Sequence, residues 1–248
     1  MKISFLSLVS FSLALLATPV SAQTLLERME GLMPSIVTVR AQNAAVVPGA
    51  AKLFINRKTR RGVALRPSAS AQYERTGAGV IIDPQGTIVT NAHTIAHAQE
   101  ISIILNDGTV LPASVRLTLT QEDFAFIQAD LPRPMTFISW GDSDEIQLGD
   151  EVITVGRSAL LNQTISGGRI TGLGKSHSEQ NQGNQKIEML LTDINVYQGD
   201  SGGPLFDRQG RLIGLMTAQQ HSGQHASFAI AVNKIKQVYR QLPQASSP

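Results

Sequence analysis

Cysteine is absent from the chain, which excludes disulfides and any lipid-modified cysteine and leaves stability to a buried core. Aromatic residues are scarce, at 5% with a single tryptophan. The basic stretch Arg57-Lys58-Thr59-Arg60-Arg61, with Arg66 and Arg75 nearby, therefore lacks the interleaved aromatics and the breadth of a nucleic-acid surface. It reads as a solvated loop. A charge bias is missing too, with 21 Lys and Arg against 19 Asp and Glu. Past the N-terminus no window approaches the roughly 18 apolar residues that a membrane helix needs.

The N-terminus carries an address. Lys2 precedes an apolar stretch from Ile3 to Leu16, and Val20-Ser21-Ala22 places small residues ahead of Gln23. That is the pattern of a signal peptide covering 1–22 and cleaved after Ala22. It predicts a periplasmic or secreted protein with no membrane span once the signal is removed.

Gln198-Gly199-Asp200-Ser201-Gly202-Gly203-Pro204 is the most informative segment. A serine among glycines meets the needs of an acyl-transfer nucleophile, because a substrate carbonyl can approach a backbone without Cβ atoms. The same turn can aim the amides of Gly199 and Ser201 at one point as an oxyanion hole. A serine hydroxyl also needs a base, and the base needs an orienting acid. Thr90-Asn91-Ala92-His93 closes one strand-like run, and Asp123-Phe124-Ala125-Phe126-Ile127 opens another. His93 is the candidate base, Asp123 the candidate acid and Ser201 the candidate nucleophile. The histidine pairs His93/His97 and His221/His225 have helical spacing but no adjacent glutamate or cysteine, so no metal and no cofactor are expected.

Short alternating segments at close spacing, with no helices between them, predict an all-β chain built as a sandwich or a barrel pair. Asp83-Pro84-Gln85-Gly86 and Asn106-Asp107-Gly108 are turn sequences between such segments. Thr24–Met33 has helical spacing after a Thr24 cap, Ser35–Arg40 alternates like a strand, and residues 41–75 read as one long loop. Asn233 reads as the cap of a last helix over 233–242, with Ile235, Val238, Tyr239 and Leu242 on one face.

The blocks Gly77–Ile82 with Val89–His93, Asp123–Ile127, and Thr192-Asp193 with Gly199–Gly203 together resemble the chymotrypsin-fold serine proteases of the HtrA (Deg) type. The resemblance covers about residues 34 to 235 and shares the order His, Asp, Ser. It implies two six-stranded antiparallel β-barrels with short N- and C-terminal helices. The first barrel would span about 34–135 and the second about 136–232, in one protease domain over 23–248. It implies a serine endopeptidase acting on unfolded polypeptide in envelope quality control, and it leaves a homo-oligomer open. The runner-up is a catalytically silent protease-fold protein that binds or regulates. The chain stops at Pro248, so the PDZ domain usual in HtrA proteases is not expected. By the same resemblance Val196, Thr217, Ala218, Gln219 and Ser227 would line the substrate pocket, with no carboxylate for a basic side chain. Asp193 would order loops.

Overall fold

The computed structural model describes residues 25–45, 71–157, 164–176, 187–197, 199–219 and 227–243. The signal segment, Thr24, the basic run 57–61 with Arg66, Gln198, His221 and His225 lie outside them. Helix α1 (Leu25–Leu32) leads through a 3-10 turn into β1 (Ile36–Ala45). The first barrel continues with β2 (Ala71–Ile81), β3 (Thr87–Thr90), α2 (Ala92–Ile95), β4 (Glu100–Ile104), β5 (Val110–Leu119) and β6 (Phe124–Ala129). The second holds β7 (Glu151–Gly156), β8 (Thr164–Ser176), β9 (Ile187–Thr192), β10 (Pro204–Phe206), β11 (Leu212–Gln219) and β12 (Ser227–Ala231), followed by α3 (Val232–Tyr239).

Each set of six closes into an antiparallel barrel, in the orders β1-β2-β3-β6-β5-β4 and β7-β8-β9-β12-β11-β10. The connectivity is the same in both, so one strand plan is used twice. Closure leaves no free edge, which suits a chain of short strands.

The turn sequences act locally as read. At the first, Thr87 N donates to Asp83 Oδ1 at 2.9 Å, and Ile82 N donates to the Thr87 carbonyl at 2.9 Å. At the second, Leu105 N reaches the Thr109 carbonyl at 2.9 Å while Asp107 Oδ1 accepts from Thr109 N.

Two expectations are corrected. Residues 41–45 and 71–75 are not loop, because Ala41 pairs with Arg75 and Ala45 with Ala71 in the β1–β2 ladder. Their small and polar side chains hide the alternation that marks a strand. Asn233 does not cap the last helix. Ala231 occupies that position without a side-chain hydrogen bond. Asn233 instead donates through Nδ2 to Asp142 Oδ1 at 2.8 Å and accepts from Ser143 N at 3.3 Å. The helix is thereby stapled to the turn Ser143–Glu145.

Three apolar clusters organise the interior. Val37, Val39, Ile81, Ile88, Ile103 and Ile127 fill the first barrel. Val152, Ile170, Leu190, Leu205, Ile213 and Met216 fill the second. The third lies between the barrels, where Phe124, Phe126 and Val80 meet Val155, Phe206 and Leu215. Each fully buried aromatic there contributes about 1.5–3 kcal/mol by transfer from water. Ile235 of α3 is buried in this seam, with Val238, Tyr239 and Leu242 packed against it. The Tyr239 hydroxyl donates to Asp83 Oδ2 at 2.8 Å, and burial together with that carboxylate pushes the phenol up to about 12. Arg157, at the end of β7, crosses to the first barrel and donates to the Ile36 carbonyl at 2.7 Å. Burial pushes its guanidinium below the usual arginine range. The two barrels are thus joined by packing and by directed bonds, and the site lies on their seam.

Candidate active site

The first barrel holds His93 and Asp123. Thr90 ends β3 and donates its hydroxyl to the Ala78 carbonyl at 2.7 Å. Asn91 is fully buried, and its amide donates to the Asp123 carbonyl at 2.9 Å, beside Ala92 N on the same oxygen at 3.2 Å. These bonds hold Asp123 at φ 56°, a left-handed conformation that aspartate tolerates better than most residues. The Asp123 carboxylate then faces α2. It accepts from His93 N at 3.0 Å and meets His93 Nδ1 at 2.9 and 3.0 Å. An Nδ1–H on Asp123 leaves Nε2 unprotonated and able to take a proton.

The second barrel supplies Ser201 and Thr217. The β11–β12 register shifts between Met216 and Ala218, which makes Thr217 the bulged residue. A bulge re-aims a side chain. Here the Thr217 hydroxyl donates to Asp123 Oδ2 at 2.5 Å, and the Thr217 carbonyl accepts from Ser201 Oγ at 3.2 Å. One residue therefore touches both the acid of the first barrel and the serine of the second.

The glycine turn around Ser201 is clamped between the barrels. Ala78 N donates to the Ser201 carbonyl at 2.7 Å, and Gly202 N donates to the Met216 carbonyl at 2.8 Å. Gly202 has φ 84°, and a Cβ on it would lie 2.2 Å from the Ala78 carbonyl oxygen. A Cβ on Gly77 would lie 2.8 Å from the Ser201 carbonyl oxygen. Backbone meets backbone at this crossing, and only glycine leaves room. Gly199 has φ 104°.

Asp200 is buried beneath the turn. Its carboxylate accepts from Tyr197 N at 2.7 Å through Oδ2, and its own N donates to the Tyr197 carbonyl at 3.0 Å. Among the described residues, buried Oδ1 has no hydrogen-bond partner. Burial raises the carboxyl above the usual carboxylate range, against the lowering effect of the Tyr197 amide. The folded state therefore favours the neutral acid. That stabilising contribution is complete below the unfolded carboxyl's own value and is lost as pH rises through the folded one. Asp200→Asn should accordingly gain thermal stability over the parent as pH is raised from about 4 to about 8. Melting curves of the two proteins that stay parallel across that range would contradict this.

The residues assigned to the substrate pocket occupy different settings. Ser227 is fully buried and donates its hydroxyl to the Ile194 carbonyl at 2.7 Å. Val196 turns inward and joins the core of the second barrel. Its neighbour Tyr197 is 64% exposed. Ala218 and Gln219 lie on β11 opposite Phe228 and Ser227 of β12. Asp193 orders backbone, with Oδ1 accepting from Arg169 N at 2.6 Å.

A family model described as a trypsin-like peptidase domain matches residues 77–215. The chain belongs to the trypsin-like peptidase family. Within that family it is HtrA-like. It is 30% identical over 212 residues to the putative serine protease HhoB of Synechocystis sp., covering 84% of this chain and 50% of that one. It is 33% identical over 223 residues to the periplasmic pH-dependent serine endoprotease DegQ of Escherichia coli, covering 86% and 47%. The solved HtrA-type protease AlgW with decapeptide superposes with a TM-score of 0.69 at 26% identity, over 88% of this chain and 67% of that one. The chain spans about half the length of the curated relatives it matches. Among the described residues, no helix is long and apolar enough to cross a membrane.

Sequence reading missed two contributors to this trypsin-like site. Thr217, expected in the pocket wall, also holds Asp123 through its hydroxyl. Arg75 was grouped with the basic loop, whereas it lies on β2 and donates through Nη1 to the His93 carbonyl at 2.7 Å. No sequence signal marks either contact, because each joins side chains that only the folding of separate strands brings together.

Proposed function

We propose that the protein is a serine endopeptidase that cleaves polypeptide through an acyl-enzyme, with His93, Asp123 and Ser201 as its triad. The observation that carries this reading is a histidine held twice by one carboxylate, Asp123 on its backbone N and on ring Nδ1, with Thr217 linking that carboxylate to a serine on a glycine turn. In the resting arrangement Ser201 Oγ donates to the Thr217 carbonyl. Attack requires Oγ to turn to His93 Nε2, which accepts the hydroxyl proton as the Oγ–carbonyl bond forms. The amides of Gly199 and Ser201 would receive the developing oxyanion. His93 then returns the proton to the leaving amine, and water repeats the sequence on the ester.

Asp123 stabilises the imidazolium formed on the way, and Thr217 keeps the carboxylate turned toward the ring. Supporting the assignment, the relatives named above are serine proteases, and one solved relative is a complex with a decapeptide. The N-terminal address and the periplasmic relative support work in the periplasm or outside the cell.

The substrate reading is an unfolded chain with an apolar side chain next to the scissile bond, consistent with envelope quality control. No carboxylate stands among Val196, Thr217, Ala218, Gln219 and Ser227. A cationic side chain would therefore be desolvated without a partner, which costs several kcal/mol. An apolar one gains about 25 cal/mol per Å² buried, enough to prefer Val or Leu over Gly by roughly 1–2 kcal/mol. Cleavage-site profiling on a denatured protein such as casein tests this. Cuts after Val, Ala or Leu are expected, and predominant cleavage after Lys or Arg would overturn the pocket assignment.

A further inference from the structure

His93 is held at three points of its backbone and ring. Its N donates to Asp123 Oδ1 at 3.0 Å, its Nδ1 lies 2.9 Å from Asp123 Oδ2, and its carbonyl accepts from Arg75 Nη1 at 2.7 Å. The first two contacts come from one carboxylate. The third comes from a different strand and carries the opposite charge.

We propose that Arg75 is a positioning residue for the catalytic histidine, pinning the His93 carbonyl from β2 while Asp123 pins its amide and ring. The proposal rests on the reading of His93 as the general base.

The geometry favours this role over a surface contact. Helix α2 spans only Ala92–Ile95, and its N-terminal residue Asn91 makes no side-chain cap bond to it. Four residues cannot hold a helix by their own hydrogen bonds. The angle of the imidazole therefore depends on what grips the peptide units around His93. Asp123 grips the side toward β6. Arg75 grips the side toward β2, and β2 is anchored nearby, because Ala78 N donates to the Ser201 carbonyl at 2.7 Å. Histidine and nucleophile are thus referenced to one strand, three residues apart.

Arg75 is only half-buried, and Ala41 faces it across the β1–β2 ladder. No carboxylate bond or ion pair to it occurs among the described residues, so the His93 carbonyl is its one defined acceptor there. A guanidinium on a carbonyl makes a charge-assisted bond, roughly twice as strong as a neutral one.

The test separates this role from the activity itself. In a Ser201→Ala background the His93 Nδ1–H resonance is observed by NMR, with no turnover needed. Arg75→Met should move or broaden that resonance, because the peptide unit that carries the ring has lost one of its holds. Arg75→Lys, which still donates to the carbonyl, should stay near the parent. In the active background Arg75→Met should lower kcat about tenfold with KM nearly unchanged. Arg75→Leu serves as a second variant without a donor. A donor-free variant that folds and leaves both the resonance and kcat at the parent's values overturns the proposal. Loss of the fold in both donor-free variants also overturns it, by making Arg75 a structural residue. A parent that cleaves no peptide while the resonance still moves would sink the protease reading and leave only the hold of Arg75 on His93.

Discussion

Ser201→Ala is expected to lower kcat/KM on a peptide substrate by about 10⁴-fold or more, with the melting temperature close to that of the parent. Among the described residues the hydroxyl's one hydrogen bond is to the Thr217 carbonyl at 3.2 Å, and the Ser201 backbone is held independently by Ala78 N. Removing Oγ therefore removes the attacking group and leaves the turn clamped. A fluorophosphonate probe reads the same event, since an organised site labels the parent at Ser201 and not the alanine variant. Turnover by the variant above about a hundredth of the parent would exclude Ser201 as nucleophile. A folded parent that never labels would favour the silent, binding reading of the same fold.

The second large effect is on folding. Gly202→Ala should destabilise the protein by about 3–5 kcal/mol, the scale reserved for strain and overpacking that the surroundings cannot relieve. Two causes add. Gly202 has φ 84°, which an L-residue with a Cβ adopts only at a cost of about 1–2 kcal/mol. The added Cβ would also sit 2.2 Å from the Ala78 carbonyl oxygen, and that oxygen already accepts the Thr90 hydroxyl. Yielding there would shift β2 and the end of β3 together, and with them His93 and Ser201. Chemical denaturation measures the loss directly. A variant within about 1 kcal/mol of the parent would mean that the barrels do not meet as closely as described.

How much of this was legible in the chain depends on the range of the interaction concerned. Hairpins closed by Asp83–Gly86 and Asn106–Gly108 are written in residues that bond to their own neighbours, so they can be read along the sequence. Strands that bury one face, such as Val37, Val39 and Ala41 in β1, announce themselves by alternation. Beyond Ala41 that signal fades, because the partners at 42–45 and 71–74 are mostly small or polar, and pairing continues where the pattern does not. Asn233 shows the same limit at a helix end. Its type suits a cap, but Asp142 and Ser143, about ninety residues away, offer its side chain better partners.

By itself the sequence determined which residues could carry the chemistry: a serine among glycines, a histidine after one strand and an aspartate before another. Those are statements about residue type and local spacing, where a few neighbours suffice. Tertiary structure alone decided how they are held. The bulge that turns Thr217 toward Asp123 exists only because β11 slips against β12. The inward turn of Val196 beside the outward turn of Tyr197 follows from which face the second core covers. Arg75 reaches His93 only because β2 runs against the Ser201 turn and past α2. Each depends on a register or a crossing between distant segments, and such energies arise only once the two barrels have closed on one another.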